Sequence, residues 1–587
     1  MATATLVEHY SKDQVEDDDH WSCFCPKSGI FRSPHRLASR HHPPSDPDLD
    51  AASFILSLLP SAHSPRPAFL DSVTGRCVTF SDLHRSVLSL ASTLRLALDL
   101  RPGDVVLLLS PNSVIYPAIV LAVLASGAVL SPASPLCTPS EIARQARDSG
   151  AVLAIATPEE AHKLVSAGVP TLLTHRSPED RDGPPSVEEM MECSDPLAAP
   201  PPARGKSDVA AVLYSSGTTG APKGVVLTHG NLIAMVSLLR WSAEVSGAED
   251  DVYLAFIPMY HVYGLAFFAL GLPSLGATTV VMSRFDLEAA MEAVARHGVT
   301  NIPAVPPVVV AMAKSSKRWD LSGLRRVGTG AAALGAEAAR RFRRRYPWAE
   351  LREGYGLTES GGAATFAVVA SRRAEGRGVG QLLPGFEARV VAPATGKEEG
   401  PGGVGELWLR GPTVMREYLG DEAATAAELV GGEWLRTGDL VYFDEEGFLF
   451  IVDRIKEHIK HNGYQVWRAN LMGSIVRETA VADLRNQLQV TPSELEALLL
   501  THPHILDAAV VPLEDEEAGQ VPMAYLVRST ESQLTSEEVI QFVASQVAPH
   551  KKIRRVAFIS SIPRSPAGKI LRKELIANAN QAVLPKL

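Results

Sequence analysis

A loop rich in hydroxyl groups and glycine follows an apolar run of the kind that forms buried strands. It covers residues 213–226 and reads Leu-Tyr-Ser-Ser-Gly-Thr-Thr-Gly-Ala-Pro-Lys-Gly-Val-Val. Residues 209–214 predict a strand and residues 231–240 a helix, so we expect the loop to join that strand to that helix. Backbone N–H groups, hydroxyls and a lysine in such a loop can bind an anion. The sequence therefore predicts a phosphate-binding loop.

The glycine spacing excludes the common nucleoside-triphosphate loop, Gly-x4-Gly-Lys-Ser/Thr. Gly224 directly follows Pro222-Lys223, and no Ser or Thr follows the lysine. A flexible Gly/Ser/Thr linker is the alternative, but a linker seldom lies between a buried strand and a helix. The candidate phosphate-binding residues are Ser215, Ser216, Gly217, Thr218, Thr219, Gly220 and Lys223.

The loop resembles the signature loop of the adenylate-forming superfamily, which comprises acyl-CoA synthetases, luciferases and peptide-synthetase adenylation domains. The segment Gly354-Tyr-Gly-Leu-Thr-Glu359 is similar to a second motif of that superfamily. The resemblance implies that Tyr355 lies against adenine, that Thr358 meets the α-phosphate during catalysis and that Glu359 holds Mg²⁺. A carboxylate that attacks a phosphoryl group needs the charge on both anions neutralised. The same motif adds to the nucleotide-binding set Glu353, Gly354, Gly356 and Leu357.

Four residues nearer the C-terminus match other positions of the superfamily. Thr437-Gly-Asp439 resembles the motif whose Asp accepts hydrogen bonds from the ribose hydroxyls, a task that suits one ionised carboxylate. Arg454 matches a nucleotide-contacting position, and Lys456 matches the hinge about which a small domain turns. Lys569 resembles the catalytic lysine that bridges the carboxylate and the α-phosphate during adenylation.

Two further motifs match the acyl end of the superfamily's site. His261, in Pro258-Met-Tyr-His-Val-Tyr-Gly264, matches a catalytic position that gates the acyl pocket. A lone His in an apolar segment is more often a core residue, and the motif alone favours the functional interpretation. Tyr263, Gly330 and Ala331 match positions that line the acyl and adenine sites.

The resemblance also implies a site for CoA. Lys460, Gly463 and Gln465 match a hairpin that the rotated small domain presents to CoA, and Arg284 matches a basic position near the nucleotide end of CoA. Asn462 replaces a lysine that often stands beside that glycine, so one CoA contact differs from the pattern.

Within the superfamily, the sequence is most similar to plant 4-coumarate:CoA ligases and their relatives. Gly463-Tyr-Gln-Val466 and Ser131-Pro-Ala-Ser-Pro135 carry that similarity. Gly328, however, stands where hydroxycinnamate ligases often have a lysine that can meet a ring hydroxyl. A site without that partner discriminates less strongly for a phenol. The acid is therefore a hydroxycinnamate, a fatty acid or a jasmonate-precursor-like acid.

A 24-residue segment, 467–490, interrupts the small domain. Its removal would join Gly-Tyr-Gln-Val directly to Thr-Pro-Ser-Glu-Leu-Glu, which is the superfamily pattern. We interpret it as a late insertion or a retained intron. Because it adjoins the CoA hairpin, the hypothesis is that it slows thioester formation and spares adenylation, and equal thioester rates without it would reject this.

The elements that must position these residues alternate between strand and helix from residue 51 onward. Residues 105–109 and 151–156 predict strands buried on both faces, and residues 139–148 predict a helix. Such alternation indicates an α/β fold of parallel or mixed sheets covered by helices. We expect a large AMP-binding domain at 51–452 and a small mobile α+β domain at 453–587. Residues 1–50 predict a poorly ordered leader.

Bulk composition excludes several other classes. The net charge of −10 argues against general nucleic-acid binding, and no apolar stretch reaches the length of a membrane span. Five scattered cysteines fit a reducing compartment without a metal centre. The C-terminal Pro585-Lys586-Leu587 resembles a peroxisomal targeting tripeptide, which implies a peroxisomal import receptor as partner; a cytoplasmic location is the alternative.

The sequence thus predicts an ATP-dependent carboxylate–CoA ligase that uses ATP, Mg²⁺ and CoA, forms an acyl-adenylate and then a thioester, and serves phenylpropanoid or fatty acid metabolism. The alternatives are a luciferase-like or carrier-loading adenylating enzyme, and an impaired relative that only binds acyl groups or nucleotide. Light output with luciferin would indicate the first alternative, and the absence of AMP release with every acid would indicate the last.

Overall fold

The computed structural model describes most of the 587-residue chain. The described residues are 23–176, 184–193, 204–215, 222–248, 251–332, 334–368, 378–455, 492–515, 519–529, 532–547, 552–565, 568 and 570–583.

Three large sheets and one small sheet are formed by the described residues. The first sheet contains, in spatial order, Phe24–Cys25, Ile30–Arg32, Glu387–Val391, Gly405–Arg410, Trp434–Phe443 and Leu429–Val430, with Leu449–Arg454 also paired to Trp434–Phe443. The second contains Glu417–Tyr418, Lys223–Thr228, Val209–Ser215, Val129–Ala133, Val105–Leu109, Ala151–Ala156 and Thr171–Leu173. The third contains Gln381–Leu382, Gly362–Phe366, Glu350–Leu357, Arg326–Thr329, Asn301–Ala304, Val252–Ala255, Thr278–Val281, Pro67–Asp71 and Cys77–Thr79.

Helices cover the sheets, as the alternation of the sequence predicts. The α-helices are Ala51–Leu58, Phe80–Leu96, Tyr116–Ala125, Pro139–Ser149, Pro158–Ala161, Val187–Cys193, His229–Val245, Val262–Gly264, Leu272–Leu275, Leu287–His297, Pro306–Lys314, Ala336–Arg345, Glu422–Glu428, Pro492–Leu499, Ser536–Ala544 and Arg572–Val583. Ser39–His41 and His162–Ala167 are 3-10 helices, and Leu265–Gly271 is a π-helix. No helix in the described part of the chain is long and apolar enough to span a membrane.

Parallel strands form the centre of the third sheet and carry most of the site. Glu350–Leu357, Arg326–Thr329, Asn301–Ala304 and Val252–Ala255 are neighbours, and all four run in the same direction. Parallel strands end at one edge of a sheet, and this is the usual place for a ligand in α/β folds. The predicted α/β class with a small C-terminal α+β unit is therefore confirmed.

The prediction of a poorly ordered leader over residues 1–50 is wrong for residues 23–50. Ile30–Arg32 pairs with Glu387–Val391, and Phe31 is 1% exposed. The Phe31 ring stacks on Phe443 with centroids 4.4 Å apart, and Arg32 Nε donates to Glu387 at 3.0 Å. The first fifty residues are polar in overall composition, but the short segment Phe24 to Phe31 contains enough apolar side chains to join a sheet. Residues 1–22 lie outside the described residues.

The phosphate loop joins two strands, and the prediction that it leads straight into a helix is wrong. Val209–Ser215 pairs antiparallel with Lys223–Thr228, and Lys223 stands opposite Ser215. The helix begins only at His229, where the Thr228 side chain accepts a hydrogen bond from the Asn231 amide. The run Gly-Val-Val-Leu after Lys223 is β-branched and apolar, and therefore forms a strand before the capping residue starts the helix.

The small C-terminal unit consists of one sheet and helices around it. Its strands are Ile505–Asp515, Gly519–Arg528 and Arg555–Phe558. The sequence predicts a helix from Pro492, two strands and a helix from Ser536 in this order, and the structure confirms each of them. Lys314 of the large unit donates through Nζ to the Ile505 carbonyl at 2.9 Å, so the two units are in contact.

Candidate active site

A cavity of about 1330 Å³ lies at the carboxyl ends of the parallel strands and continues beneath helix His229–Val245. Most of its walls belong to the large unit. Pro512, Ser565, Ile570 and Arg572 of the small unit close it from the other side. We call it the central cavity. It is large enough for a nucleotide together with a second substrate, since typical ligand pockets measure roughly 300–1,000 Å³.

Glu359 accepts hydrogen bonds from two side chains beside the phosphate loop. The Ser215 hydroxyl donates to Glu359 Oε1 at 2.8 Å, and the Tyr418 hydroxyl donates to the same oxygen at 3.1 Å. Lys223 Nζ lies 4.6 Å from the centroid of the Tyr418 ring. Burial and the nearby Glu359 carboxylate raise the pKa of Tyr418 well above its usual range, so the hydroxyl stays a donor. These contacts hold a carboxylate and a lysine on one wall of the cavity.

Asp439 is buried, being 1% exposed, and has two polar partners. The Tyr355 hydroxyl donates to Asp439 Oδ2 at 2.6 Å, and Arg454 Nε lies 2.8 Å from Asp439 Oδ1. Tyr355 and Arg454 line the central cavity, whereas Asp439 lies behind them. Burial, followed by the Asp439 charge, raises the pKa of Tyr355 far above its usual range. Asp439 therefore orients a protonated tyrosine and an arginine toward the cavity.

The second glycine of the Gly-Tyr-Gly motif is required for a steric reason. A Cβ atom on Gly356 would lie 2.0 Å from the Gly362 carbonyl oxygen of the neighbouring antiparallel strand, so only glycine fits there. Ala331, just after the neighbouring strand Arg326–Thr329, has φ of +68°, a left-handed conformation that is costly for a residue with a Cβ. Such strain clusters at functional sites, where the surrounding structure enforces it.

His261 begins the short helix Val262–Gly264 and lies on the wall of the cavity. Its Nδ1 accepts a hydrogen bond from the Tyr263 amide at 3.3 Å. Burial lowers the pKa of His261 to about 4, so the imidazole is neutral near pH 7 and carries its proton on Nε2. Burial likewise raises the pKa of Tyr263 above its usual range. Both side chains are thus neutral groups at the entrance to the apolar part of the cavity.

Most of the predicted site residues that the structure describes meet in the central cavity. Those that line it are Ser215, Lys223, His261, Tyr263, Gly328, Gly330, Ala331, Gly354, Tyr355, Gly356, Leu357, Thr358, Glu359 and Arg454.

Three predicted residues do not line the cavity. Asp439 lies one layer behind it, as described above. Glu353 does not line the cavity, although Arg352 and Gly354 on either side of it do. Burial raises the pKa of Glu353 to about 7, and Arg343 partly offsets the shift. Arg284 is exposed on the surface.

The other predicted site residues and segments lie outside the described residues. They are Ser216, Gly217, Thr218, Thr219, Gly220, Lys456, Lys460, Gly463, Gln465, Lys569, the segment 467–490 and Pro585-Lys586-Leu587. Gly568, which precedes Lys569, is described: a Cβ atom there would lie 3.2 Å from the Val305 Cβ. Gly568 therefore lies at the carboxyl end of strand Asn301–Ala304.

The sequence prediction missed Tyr418, Arg436 and Thr437 as cavity residues. Thr437 belongs to the Thr-Gly-Asp motif, and that motif could have identified it. Tyr418 offers no such signal, because a single tyrosine in a two-residue strand has no diagnostic spacing.

A cluster of three or more metal-binding side chains is absent from the described residues. A lone carboxylate nevertheless fits Mg²⁺ in this setting, since Mg²⁺ commonly takes one or two carboxylates together with substrate phosphates and water. Glu359 meets that requirement: Oε1 accepts both of its hydrogen bonds, and Oε2 receives none from the described residues.

Comparison with known proteins decides the family. The sequence model described as AMP-binding enzyme matches residues 60–419, and the one described as AMP-binding enzyme C-terminal domain matches residues 494–569. The chain belongs to the AMP-binding enzyme family. The C-terminal match begins beyond segment 467–490, in the small unit.

Curated relatives and solved structures agree with this assignment. The chain is 44% identical to 4-coumarate–CoA ligase-like 4 of Oryza sativa subsp. japonica, covering 95% of this chain and 97% of the relative. It is 43% identical to peroxisomal OPC-8:0-CoA ligase 1 of Arabidopsis thaliana, covering 94% and 97%. The structure of o-succinylbenzoate CoA synthetase from Bacillus subtilis, in complex with an acyl-adenylate, superposes with a TM-score of 0.72 at 25% identity, covering 90% of this chain and 98% of that one.

The function predicted from the sequence is thereby confirmed at the level of the reaction class. This AMP-binding enzyme is an ATP-dependent carboxylate–CoA ligase, an acid–thiol ligase that uses ATP and CoA.

Proposed function

We propose that this ligase activates an elongated carboxylic acid in the central cavity through an acyl-adenylate and then transfers the acyl group to CoA. In the first step a carboxylate oxygen forms a bond to the α-phosphorus of ATP. The bond from that phosphorus to the bridging oxygen breaks, and pyrophosphate leaves. In the second step the CoA thiolate forms a bond to the acyl carbon, and AMP leaves with the former carboxylate oxygen.

One observation carries this proposal: two clusters of polar side chains lie on the wall of a single cavity, and the same cavity has an apolar branch. Glu359, Ser215 and Tyr418 form the first group, near Lys223. Tyr355 and Arg454 form the second, held by Asp439. A nucleotide between the two groups would face a lysine at its phosphates and an aromatic ring at its base. The acid would enter past His261, which is neutral and therefore does not retain the carboxylate as an ion pair.

Residues outside the described part of the chain complete the proposal. We assign charge stabilisation during adenylation to Lys569, phosphate binding to the loop from Ser216 to Gly220, and the hinge of the small domain to Lys456. Lys460, Gly463, Gln465 and the exposed Arg284 are assigned to CoA. Thr358 lines the cavity beside Glu359 and is assigned to the α-phosphate.

Mg²⁺ would be held by Glu359 together with the phosphates of ATP. When bound, it neutralises phosphate charge, which favours approach of an anionic carboxylate.

Glu353 and Asp439 do not line the cavity, and we propose that they support nucleotide binding indirectly. Glu353 would position the residues next to it on its strand, and Asp439 would position Tyr355 and Arg454. The division at residues 452 and 453 into a large and a small mobile domain is part of the same proposal.

The acid class follows from the pocket and from the relatives. The names of two relatives refer to 4-coumarate and to OPC-8:0, and one of these relatives is named peroxisomal. Gly328 leaves open space where a side chain could have met a ring hydroxyl, which favours a fatty or jasmonate-precursor-like acid over a hydroxycinnamate. Peroxisomal import through Pro585-Lys586-Leu587 is supported by the resemblance of that tripeptide to a targeting signal.

A panel of acids tests the proposal. Purified full-length enzyme with ATP, Mg²⁺ and CoA is supplied with hydroxycinnamic, medium-chain and long-chain acids, and the release of AMP and of acyl-CoA is measured. We expect equal amounts of both products with at least one class and the highest kcat/KM with elongated apolar acids. AMP release that needs no acid, or product formation with none of the acids, would contradict the proposal.

A further inference from the structure

The central cavity continues along the parallel strands, away from the nucleotide end. Side chains of a strand alternate between its two faces. On strand Arg326–Thr329, Arg326 and Gly328 line the cavity, and Thr329 and Gly330 line it where the strand ends. From Gly330 to Arg326 the strand covers about 13 Å, at roughly 3.3 Å per residue. Asn301 stands opposite Arg326, whereas Arg352 stands opposite Gly328 and reaches this end through its guanidinium, which donates to Glu350 opposite Arg326. We call this branch the acyl channel and its far end, at Arg326 and Arg352, the arginine end.

The other walls of the acyl channel are apolar or small. Helix His229–Val245 and the residue after it face the channel with one helical stripe: Leu238, Leu239, Ser242, Ala243 and Ser246. Three aromatic rings form a continuous side wall. Phe267 packs edge-on against Tyr263 and Tyr253, with centroids 6.2 Å and 5.8 Å away. An apolar chain attached to the reacting carboxylate would follow this wall toward the arginine end.

Arg352 is held rigidly at the arginine end. Its Nε and Nη2 both donate to Glu350 Oε2, at 2.9 Å and 2.6 Å, and its Nη1 donates to the Ser246 hydroxyl at 2.7 Å. A guanidinium carries five N–H donors, so two remain beyond these three contacts with described residues. The side chain is 7% exposed and lines the channel. A buried donor without an acceptor is costly, which favours an acceptor supplied from inside the channel.

Arg326 adds to this excess of donors. It pairs with Asp251, a fully buried carboxylate that also pairs with Arg325 at 3.1 Å. The buried Nε of Arg326 has no hydrogen-bond acceptor among the described residues, and the Glu350 oxygen nearest to it is 3.7 Å away. Three arginines thus share two carboxylates, Asp251 and Glu350. Arg325 is 59% exposed, so water screens its charge, and Asp251 and Glu350 balance the charges of Arg326 and Arg352. The arginine end therefore offers spare N–H donors and no excess of buried negative charge.

We propose that the arginine end recognises an acceptor oxygen, from a carbonyl or a carboxylate, at the end of the acid remote from the reacting carboxylate. The substrate class is therefore an elongated carboxylic acid with an apolar middle and an oxygenated far end. This inference rests on the proposed function, because it takes the reacting carboxylate to lie near Gly330. Arg352 is the specificity-determining residue, and Arg326 supports it.

The test compares acids of one chain length that differ only at the remote end. The three probes are the unsubstituted fatty acid, the acid with a ketone near its remote end and the α,ω-dicarboxylic acid. The quantity measured is kcat/KM for AMP release, expressed as the ratio of each oxygenated acid to the unsubstituted one. We expect a ratio above one for wild type with at least one oxygenated acid. Arg352→Met should lower that ratio roughly 10- to 100-fold, the range for loss of hydrogen bonds to a charged group.

Matched variants separate recognition from structure. Arg352→Lys keeps the positive charge but loses the planar arrangement of N–H donors. Its ratio of kcat/KM values should therefore lie between those of wild type and Arg352→Met. Arg340→Met removes an arginine that is 64% exposed on a surface helix and should leave the ratio unchanged. Glu350 retains Arg326 as a neighbour in Arg352→Met, and thermal unfolding checks that the variant is folded.

Each outcome has a separate meaning. An unchanged ratio in folded Arg352→Met, or a wild-type preference for the unsubstituted acid over both oxygenated acids, would overturn the inference and leave Arg352 with a structural role. The ligase proposal would survive that result, since all three acids would still release AMP. Failure of wild type to release AMP with any acid of the wider panel would instead overturn the proposed function itself.

Discussion

Single residues of the site are oriented by partners that lie outside the cavity. Asp439 shows this most clearly, because its two oxygens are used by Tyr355 and Arg454 and the residue is almost completely buried. The sequence motif predicts contact with ribose. The structure places the carboxylate one layer further back, where it fixes the two side chains that do face the cavity.

Asp439→Asn should therefore weaken the use of ATP more than that of the acid. The substitution removes the charge that pairs with Arg454 and one acceptor of a charge-assisted bond, an effect of about 1.5–3 kcal/mol. We expect the KM for ATP to rise about 10- to 100-fold, measured by acid-dependent pyrophosphate exchange at saturating acid. Asp320→Asn, at an exposed loop position, is the control. An unchanged KM for ATP in Asp439→Asn would refute this role.

His229 predicts how stability depends on pH. It is fully buried, its Nδ1 accepts from the Ala51 amide at 3.1 Å, and burial lowers its pKa to about 4. The unfolded chain, with a histidine pKa of about 6.5, binds more protons than the folded chain between these values. The free energy of unfolding therefore falls as the pH falls from about 6.5 to 4, with a loss of about 2 kcal/mol from this residue by pH 5.

Denaturant unfolding at pH 7 and pH 5 checks this expectation. In His229→Gln, whose amide oxygen can still accept from Ala51, the loss of stability between the two pH values should be smaller than in wild type by about 2 kcal/mol. His63→Gln, on an exposed segment, should retain the wild-type pH dependence. Equal pH dependence in His229→Gln and wild type would show that His229 takes up its proton without unfolding.

At the scale of elements, glycine on strand Arg326–Thr329 keeps the acyl channel open. A Cβ atom on Gly328 would meet no atom within 4 Å, and its φ is not in the left-handed region, so a larger residue can be accommodated and will fill the channel. Gly328→Leu should lower kcat/KM for long acids relative to short ones by roughly 10- to 200-fold, the usual range for steric discrimination in an apolar pocket.

The control for that variant is Gly323→Leu, since Gly323 also has open space around its Cβ but lies exposed on a turn. Both proteins are assayed with short and long acids in the AMP-release reaction. A long-to-short ratio that is the same in Gly328→Leu and Gly323→Leu would show that the acyl group does not pass Gly328.

An element can be predicted from the sequence when residues close to one another in the chain determine it. The strands Val105–Leu109 and Ala151–Ala156 and the helix Pro139–Ser149 follow from local apolar patterns and caps, and the sequence predicts them correctly. The strand Ile30–Arg32 forms because it pairs with the distant strand Glu387–Val391, and its own sequence is too short to predict it. The strand Lys223–Thr228 has a local apolar pattern, but this pattern is short and adjoins the helix pattern that follows it.

The same limit applies to the site. Motif residues such as Tyr355 and Glu359 are predicted because their spacing is distinctive. Arg326 and Arg352 are 26 positions apart in the sequence and meet only because their strands are neighbours in the third sheet. The run of arginines near residue 340 is more conspicuous in the sequence, but it lies on helix Ala336–Arg345 and outside the cavity lining. Tertiary pairing therefore decides which arginines can reach a substrate.

At the scale of the whole molecule, the small unit closes a site that the large unit builds. Lys314 binds the Ile505 carbonyl, Gly568 lies against Val305, and Arg572 lines the cavity. Gly568 thus lies at the carboxyl end of the parallel strands of the large unit. We propose that the carboxylate and the α-phosphate react directly, with the acid joined to AMP before CoA is used.

Transfer of a heavy oxygen isotope tests that claim most directly. The acid is labelled in its carboxylate, the enzyme converts it to acyl-CoA with ATP and CoA, and mass spectrometry locates the label in the nucleotide and phosphate products. We expect one labelled oxygen in the phosphate group of AMP for each acyl-CoA formed, and none in pyrophosphate. Label in inorganic phosphate together with ADP, or unlabelled AMP, would contradict it.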